Sequence, residues 1–173
     1  MLFKIAGSII VILSCSFLGF ILSGDCGKRP VQLRELQSLL QMFENQISYL
    51  SDIITEAFER IGRVSASGTG VFFSRTVEIL KEGEAANASE AWEQAVRQSI
   101  RKTALNREDE EILISFGKLL GNTDIEGQVK NIRLTLGQLS LQENKAEESR
   151  KKNENMYRSL GMLGGIAVVI VLL

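Results

Sequence analysis

Hydrophobic and polar positions divide the chain into an uncharged run at each end, a long middle where apolar residues recur every three or four positions, and one stretch polar on all sides. The first run, IAGSIIVILSCSFLGFIL from Ile5 to Leu22, carries no charge over 18 residues. That is close to the roughly 20 needed to cross a bilayer core of about 30 Å. The last, MYRSLGMLGGIAVVIVLL from Met156 to Leu173, has no charge after Arg158. As a helix rising about 1.5 Å per residue it reaches roughly 27 Å, enough for a second span, with Tyr157 and Arg158 at the interface. A cleaved signal would have a shorter apolar centre and a small-residue cleavage site. Neither stands out, and Cys26 follows Asp25 rather than a small residue as lipidation would need.

Spacing in the middle predicts helices throughout, since no stretch alternates apolar and polar residues for long. Pro30 suits a first helical turn, and Leu33, Leu36, Leu40, Phe43, Ile47 and Leu50 then follow on one face. Ser51 or Asp52 is positioned to cap a second helix carrying Ile54, Ala57, Phe58 and Ile61, before SASGTG interrupts. A third covers about 71–82 with Phe72, Val77 and Leu80 and stops near Gly83; Ser89 is the expected cap of a fourth bearing Trp92, Ala95, Val96 and Ile100. Asn106 with Asp109 reads as a capping pair for a fifth, with Ile112, Leu113, Phe116 and Leu120 before Gly121. Thr123 with Glu126 reads as the capping box of a sixth, with Ile125, Val129, Ile132, Leu136 and Leu139 at heptad-like spacing. The stretch QENKAEESRKKNEN that follows favours helix and lacks Gly and Pro, so it reads as a solvated stalk or a linker.

The predicted fold is therefore all-α: a compact six-helix bundle between an N-terminal and a C-terminal transmembrane helix. Its divisions are 1–27 for the first span, 28–141 for the helical domain, 142–155 for the polar stalk and 156–173 for the second span. Charge supplies the orientation, because basic flanks stay in the cytoplasm. Lys28, Arg29 and Arg34 at one end and Lys145, Arg150, Lys151, Lys152 and Arg158 at the other lie on the middle side of the two runs, against Lys4 outside. The domain is expected in the cytoplasm with both termini across the membrane.

Composition narrows the chemistry. A net charge of -1 gives no basic surplus for nucleic acid. Histidine is absent, which removes the commonest general base and zinc ligand, and Cys15 and Cys26 lack metal spacing. The acidic run Glu108, Asp109, Glu110, Glu111 reads as a complement to a helix dipole, with cation binding as the rival reading. SASGTG lacks the lysine and hydroxyl residue of a phosphate loop and reads as a turn. The Asn87-Ala88-Ser89 glycosylation triplet carries no weight in a cytoplasmic domain. Arg97, Arg101, Lys102 and Arg107 form the most basic patch and read as a solvated face. Gly161 and Gly165 make a GxxxG pair, a candidate close contact between membrane helices. No residue is expected to be catalytic, to bind a cofactor or to ligate a metal, and self-association stays open.

Particular stretches go further: KRPVQLRELQSLL at 28–40, ENQISY at 44–49, EAF at 56–58, LLGNTD with Gln128 at 119–128, and ENMYRSLGMLGG at 154–165. With these, the chain resembles the stage III sporulation protein AB family of endospore-forming bacteria over nearly its whole length. Met156, Tyr157, Arg158, Leu160 and Gly161 carry the most specific motif, and Arg29, Pro30, Gln32 and Leu33 the second; SDIITEAF departs from the family pattern. The resemblance implies likeness to the six-helix cytoplasmic domain of type II secretion platform proteins. It also implies a non-enzymatic place in the channel complex between mother cell and forespore, in the mother-cell membrane around the forespore. The partners implied are a cytoplasmic secretion-type ATPase and other channel proteins. The competing expectation is an exported, membrane-tethered binding module with a cleaved N-terminal signal.

Overall fold

The structure, a computed structural model, describes residues 27–50, 54–65 and 68–172; the side chains of 49, 50, 157, 158 and 160–172 lie outside that description. Six α-helices and no strand occur among the described residues, as the spacing predicts: α1 Lys28–Asn45, α2 Ile54–Val64, α3 Val71–Glu82, α4 Ala88–Ser99, α5 Arg107–Gly117 and α6 Ile125–Leu172. A π-turn, Gln46–Leu50, follows α1, and single 3-10 turns, Gly68–Gly70 and Ile100–Lys102, precede α3 and follow α4. Residues Arg29–Asn144 form one compact unit, and the described residues on either side belong to a second.

Helices of the first unit run alternately up and down. Gly121, just before α6, sits against Ile54 at the start of α2 and Ala88 at the start of α4, so these three corners share one end. At the other end Gln32, one turn into α1, accepts a hydrogen bond from the Ala104 amide of the α4–α5 loop at 2.6 Å. Neighbours in sequence pack as neighbours in space: α2 on α3, α3 on α4, α4 on α5.

Aromatic rings fill the centre. Trp92 is fully buried and stands 5.1 to 5.4 Å from the ring centroids of Phe58, Phe73 and Phe116, while Phe43 lies 4.8 Å from Phe58. Edge and tilted pairs of this kind contribute about 0.5 to 1.5 kcal/mol each beyond the area they bury. The indole donates to the Leu113 carbonyl at 2.8 Å, so the one polar atom of the ring is satisfied. The sequence reading placed four of these five aromatics on inner faces and passed over Phe73. It passed over Leu39 and Ile79 as well, both buried. In α3 the buried set is Phe72, Phe73, Thr76, Val77 and Ile79, a stripe wider than one row, because α2 covers one flank and α4 the other.

Two helix starts differ from expectation by one or two residues. α4 is capped by Asn87, whose side chain accepts from the Glu90 amide at 2.9 Å, so Ser89 is already inside the helix. At α6 the Asp124 carboxylate accepts from the Gly127 amide at 2.9 Å, displacing Thr123 as the cap. Both winners place an acceptor over the third helical amide, where the helix leaves N–H groups free. The Asn106–Asp109 capping box is present as read, and Gly83 ends α3 at φ 72°. Residues 51–53, which hold both candidate caps for α2, lie outside the described residues.

Candidate functional site: the clasp and the far corner

Pro30 and Leu33 bury the first turns of α1 and aim Arg29 between them at α5. Its Nε and Nη2 donate to Asp109 Oδ2 and Oδ1 at 2.8 and 2.9 Å, a two-pronged pair in which Asp109 is fully buried and Arg29 one-fifth exposed. Asp109 Oδ2 also accepts from the Asn106 amide at 2.9 Å, so one carboxylate caps α5 and anchors α1. Gln142 of α6 closes the group: its Oε1 accepts from Arg29 Nη2 at 3.1 Å and its Nε2 donates to Glu108 at 2.9 Å. Beside it Glu143 accepts from Arg34 at 2.7 Å and Gln37 at 2.8 Å. This clasp joins the first turn of α1, the start of α5 and the last part of α6 within the Arg29–Asn144 unit. A buried pair of this kind adds little net stability but is costly to break, because a lone charge is left inside.

The inner face of α6 departs from the sequence reading. Ile132 and Leu139 are buried as expected, but Ile125 is 51% exposed and Val129 and Leu136 are only half-buried. The positions between them that face inward are Gln128, Asn131, Thr135 and Gln142, all nearly inaccessible. Gln128 Nε2 donates to the Leu119 carbonyl at 2.7 Å and Asn131 Nδ2 to the Phe116 carbonyl at 3.0 Å. These carbonyls lie at and just past the end of α5, where the backbone supplies only long bonds, from the Leu119 amide to Phe116 at 3.4 Å and the Asn122 amide to Leu119 at 3.3 Å, so amide side chains from α6 add shorter ones. Gly121 turns the corner at φ 74°, a conformation that costs a residue with a Cβ about 1 kcal/mol. The LLGNTD run with Gln128 is thus the building set of the α5–α6 corner.

The remaining candidate residues divide by location. Lys28 is exposed at the start of α1, and Gln32 and Pro30 serve the packing just described. Arg150 pairs with Glu147 at 2.7 Å and Glu154 at 3.2 Å; the Glu147 hydrogen bond raises its guanidinium pKa further above the ordinary value. Lys151 and Lys152 are exposed, and Met156 is 45% exposed. Tyr157, Arg158, Leu160, Gly161 and Gly165 lie outside the described side chains. Among the described residues no helix is long and apolar enough to cross a membrane; the run 5–22 lies outside them, as do the side chains of 160–172. Glu108, Glu110 and Asp109 occupy the first turn of α5, where carboxylates favour the dipole. Of the basic patch, Arg97 pairs with Glu93 at 2.8 Å and Arg107 with Glu111 at 3.2 Å, each within its own helix. No group of three metal-capable side chains occurs among the described residues.

Clasp, aromatic centre and amide-lined corner together define an all-α bundle domain whose chain arrives and departs at one end. The sequence model of the stage III sporulation protein AB family matches residues 4–173, and the chain belongs to that family. It is 31% identical over 170 residues to stage III sporulation protein AB of Bacillus subtilis (strain 168), covering 98% of this chain and 99% of the relative. A solved structure of stage III sporulation protein AB (SpoIIIAB), 31% identical, superposes with a TM-score of 0.67 over 72% of this chain and 98% of its own.

Proposed function

We propose that the chain is a non-enzymatic platform component of the channel complex between mother cell and forespore. Its two terminal apolar runs anchor it in the mother-cell membrane around the forespore, and its helical domain lies in the mother-cell cytoplasm. There the domain takes up force or conformational change from a secretion-type ATPase and passes it to membrane partners. In the second run Gly161 and Gly165 provide the close helix contact.

The observation that carries this reading is the clasp: Arg29 and Gln142 meet at 3.1 Å, so the segments leading towards both apolar runs leave the bundle from one place. That geometry suits a domain tethered at both ends to a single membrane, and family membership over 4–173 supports a role in sporulation. Reporters inserted after Gly83, an exposed C-cap, test it. A reporter active only in the cytoplasm is expected to work there. Activity of one that works only outside overturns the platform reading in favour of an exported, tethered module.

A further inference from the structure

Between Gln94 and Arg107 the chain carries four cations and no carboxylate. Arg97 and Arg107 are paired with Glu93 and Glu111. Arg101 and Lys102, in the 3-10 turn Ile100–Lys102 that opens the α4–α5 loop, are exposed and hold no ion pair among the described residues. Two bonds fix where this loop stands: the Ala104 amide donates to Gln32 of α1, and Asp109, in the first turn of α5, accepts from Arg29. It therefore lies at the clasp end, at the first turn of α1, where Val31 is 60% exposed. The carboxylates of that end are engaged elsewhere. Asp109 holds Arg29, Glu108 holds Gln142, Glu143 holds Arg34, and Glu110 lines a groove with Arg97 and Arg107.

We infer that Arg101 and Lys102 dock the clasp end on anionic lipid headgroups of the membrane that the terminal runs cross, with Val31 of the same end as an apolar contact. This contact rests on the membrane reading proposed above and adds to it the face that meets the lipid. Chain length brings that face within reach. Arg29 stands seven positions after Leu22, a tether of at most about 25 Å, and Met156 stands 14 after Gln142, about 21 Å as a helix. Both tethers leave from the clasp, whereas α1, 18 residues and about 27 Å long, separates the Gly121 corner from it. Charge then selects lipid: a cytoplasmic leaflet is anionic, and each cation at its surface favours contact roughly fivefold. The two unpaired cations meet that field with no carboxylate among their chain neighbours to oppose it.

The test holds the full-length chain in lipid nanodiscs of phosphatidylcholine, alone or mixed equally with phosphatidylglycerol, each with a trace of lipid photoreactive at its headgroup. Labelled positions are mapped by mass spectrometry, and thermal melting checks that each variant keeps its fold. Alkaline extraction of vesicles of the same lipids checks the spans separately. The expected result is label at 100–106 in the mixed bilayer, well above that at 119–125 of the far corner, and falling in phosphatidylcholine alone. Arg101→Gln with Lys102→Gln should lower it about tenfold or more, as two contacts of that strength imply. Arg101→Lys, which keeps the charge, should leave it unchanged. Equal label at 119–125, insensitivity to lipid charge or to the double substitution, or no label at 100–106 overturns the inference. If the chain resists extraction and the loop is unlabelled, the contact fails and the spans stand; if the chain is extracted, the membrane reading falls and the contact with it. If the Gly83 reporter works only outside while the loop is still labelled, the topology fails and the lipid contact stands.

Discussion

The aromatic centre and the inner face of α6 are both buried, yet they are held by different forces. Around Trp92 the stabilisation scales with apolar area removed from water and with ring packing. Along α6 the buried polar residues are Gln128, Asn131, Thr135 and Gln142, and those at 128, 131 and 142 work by hydrogen-bonding groups of other elements. A non-directional force tolerates reshaping and punishes lost volume. A directional one tolerates lost volume and punishes a missing partner.

Substitutions at the two places should separate these responses. Trp92→Ala removes the largest fully buried side chain and its bond to Leu113, and should cost about 3 to 5 kcal/mol in urea unfolding. At the clasp, Asp109→Ala should cost about 3 kcal/mol, because Arg29 loses both its bonds to the carboxylate and α5 the Asp109 half of its capping box. Arg29→Met combined with Asp109→Ala should cost clearly less than the sum of the single changes; strict additivity would show that the pair is not coupled. Asn131→Leu, close in volume, takes from the Phe116 carbonyl its shorter donor and leaves only the Leu119 amide at 3.4 Å, so it should cost about 1 kcal/mol, where a packing force alone would make it neutral or stabilising.

The same contrast explains what could be read from the chain alone. Three-and-four spacing revealed α1 and the inner residues of α2, α4 and α5 because those faces are apolar, and apolar periodicity is the signal they emit. It misread α6, whose apolar residues Ile125, Val129 and Leu136 do not define the buried face. The need that orients α6 belongs to α5, whose closing carbonyls call for donors, and spacing within α6 cannot express a demand made by another helix. A signal did exist: amides at 128 and 131, three apart and following a glycine corner, sit on one helical face. Arg29 was read for its charge beside an apolar run. Its partner Asp109 lies 80 residues away, a distance over which no local pattern reports.

Because Trp92 is the chain's one tryptophan, the protein carries an optical probe at its own centre. Its indole is buried, hydrogen-bonded to α5 and met by tilted and edge-on phenylalanine rings, so its emission should lie towards the blue in the native fold and move to the red when α4 and α5 part. Light from a single residue can therefore follow any opening of the bundle in the unlabelled protein.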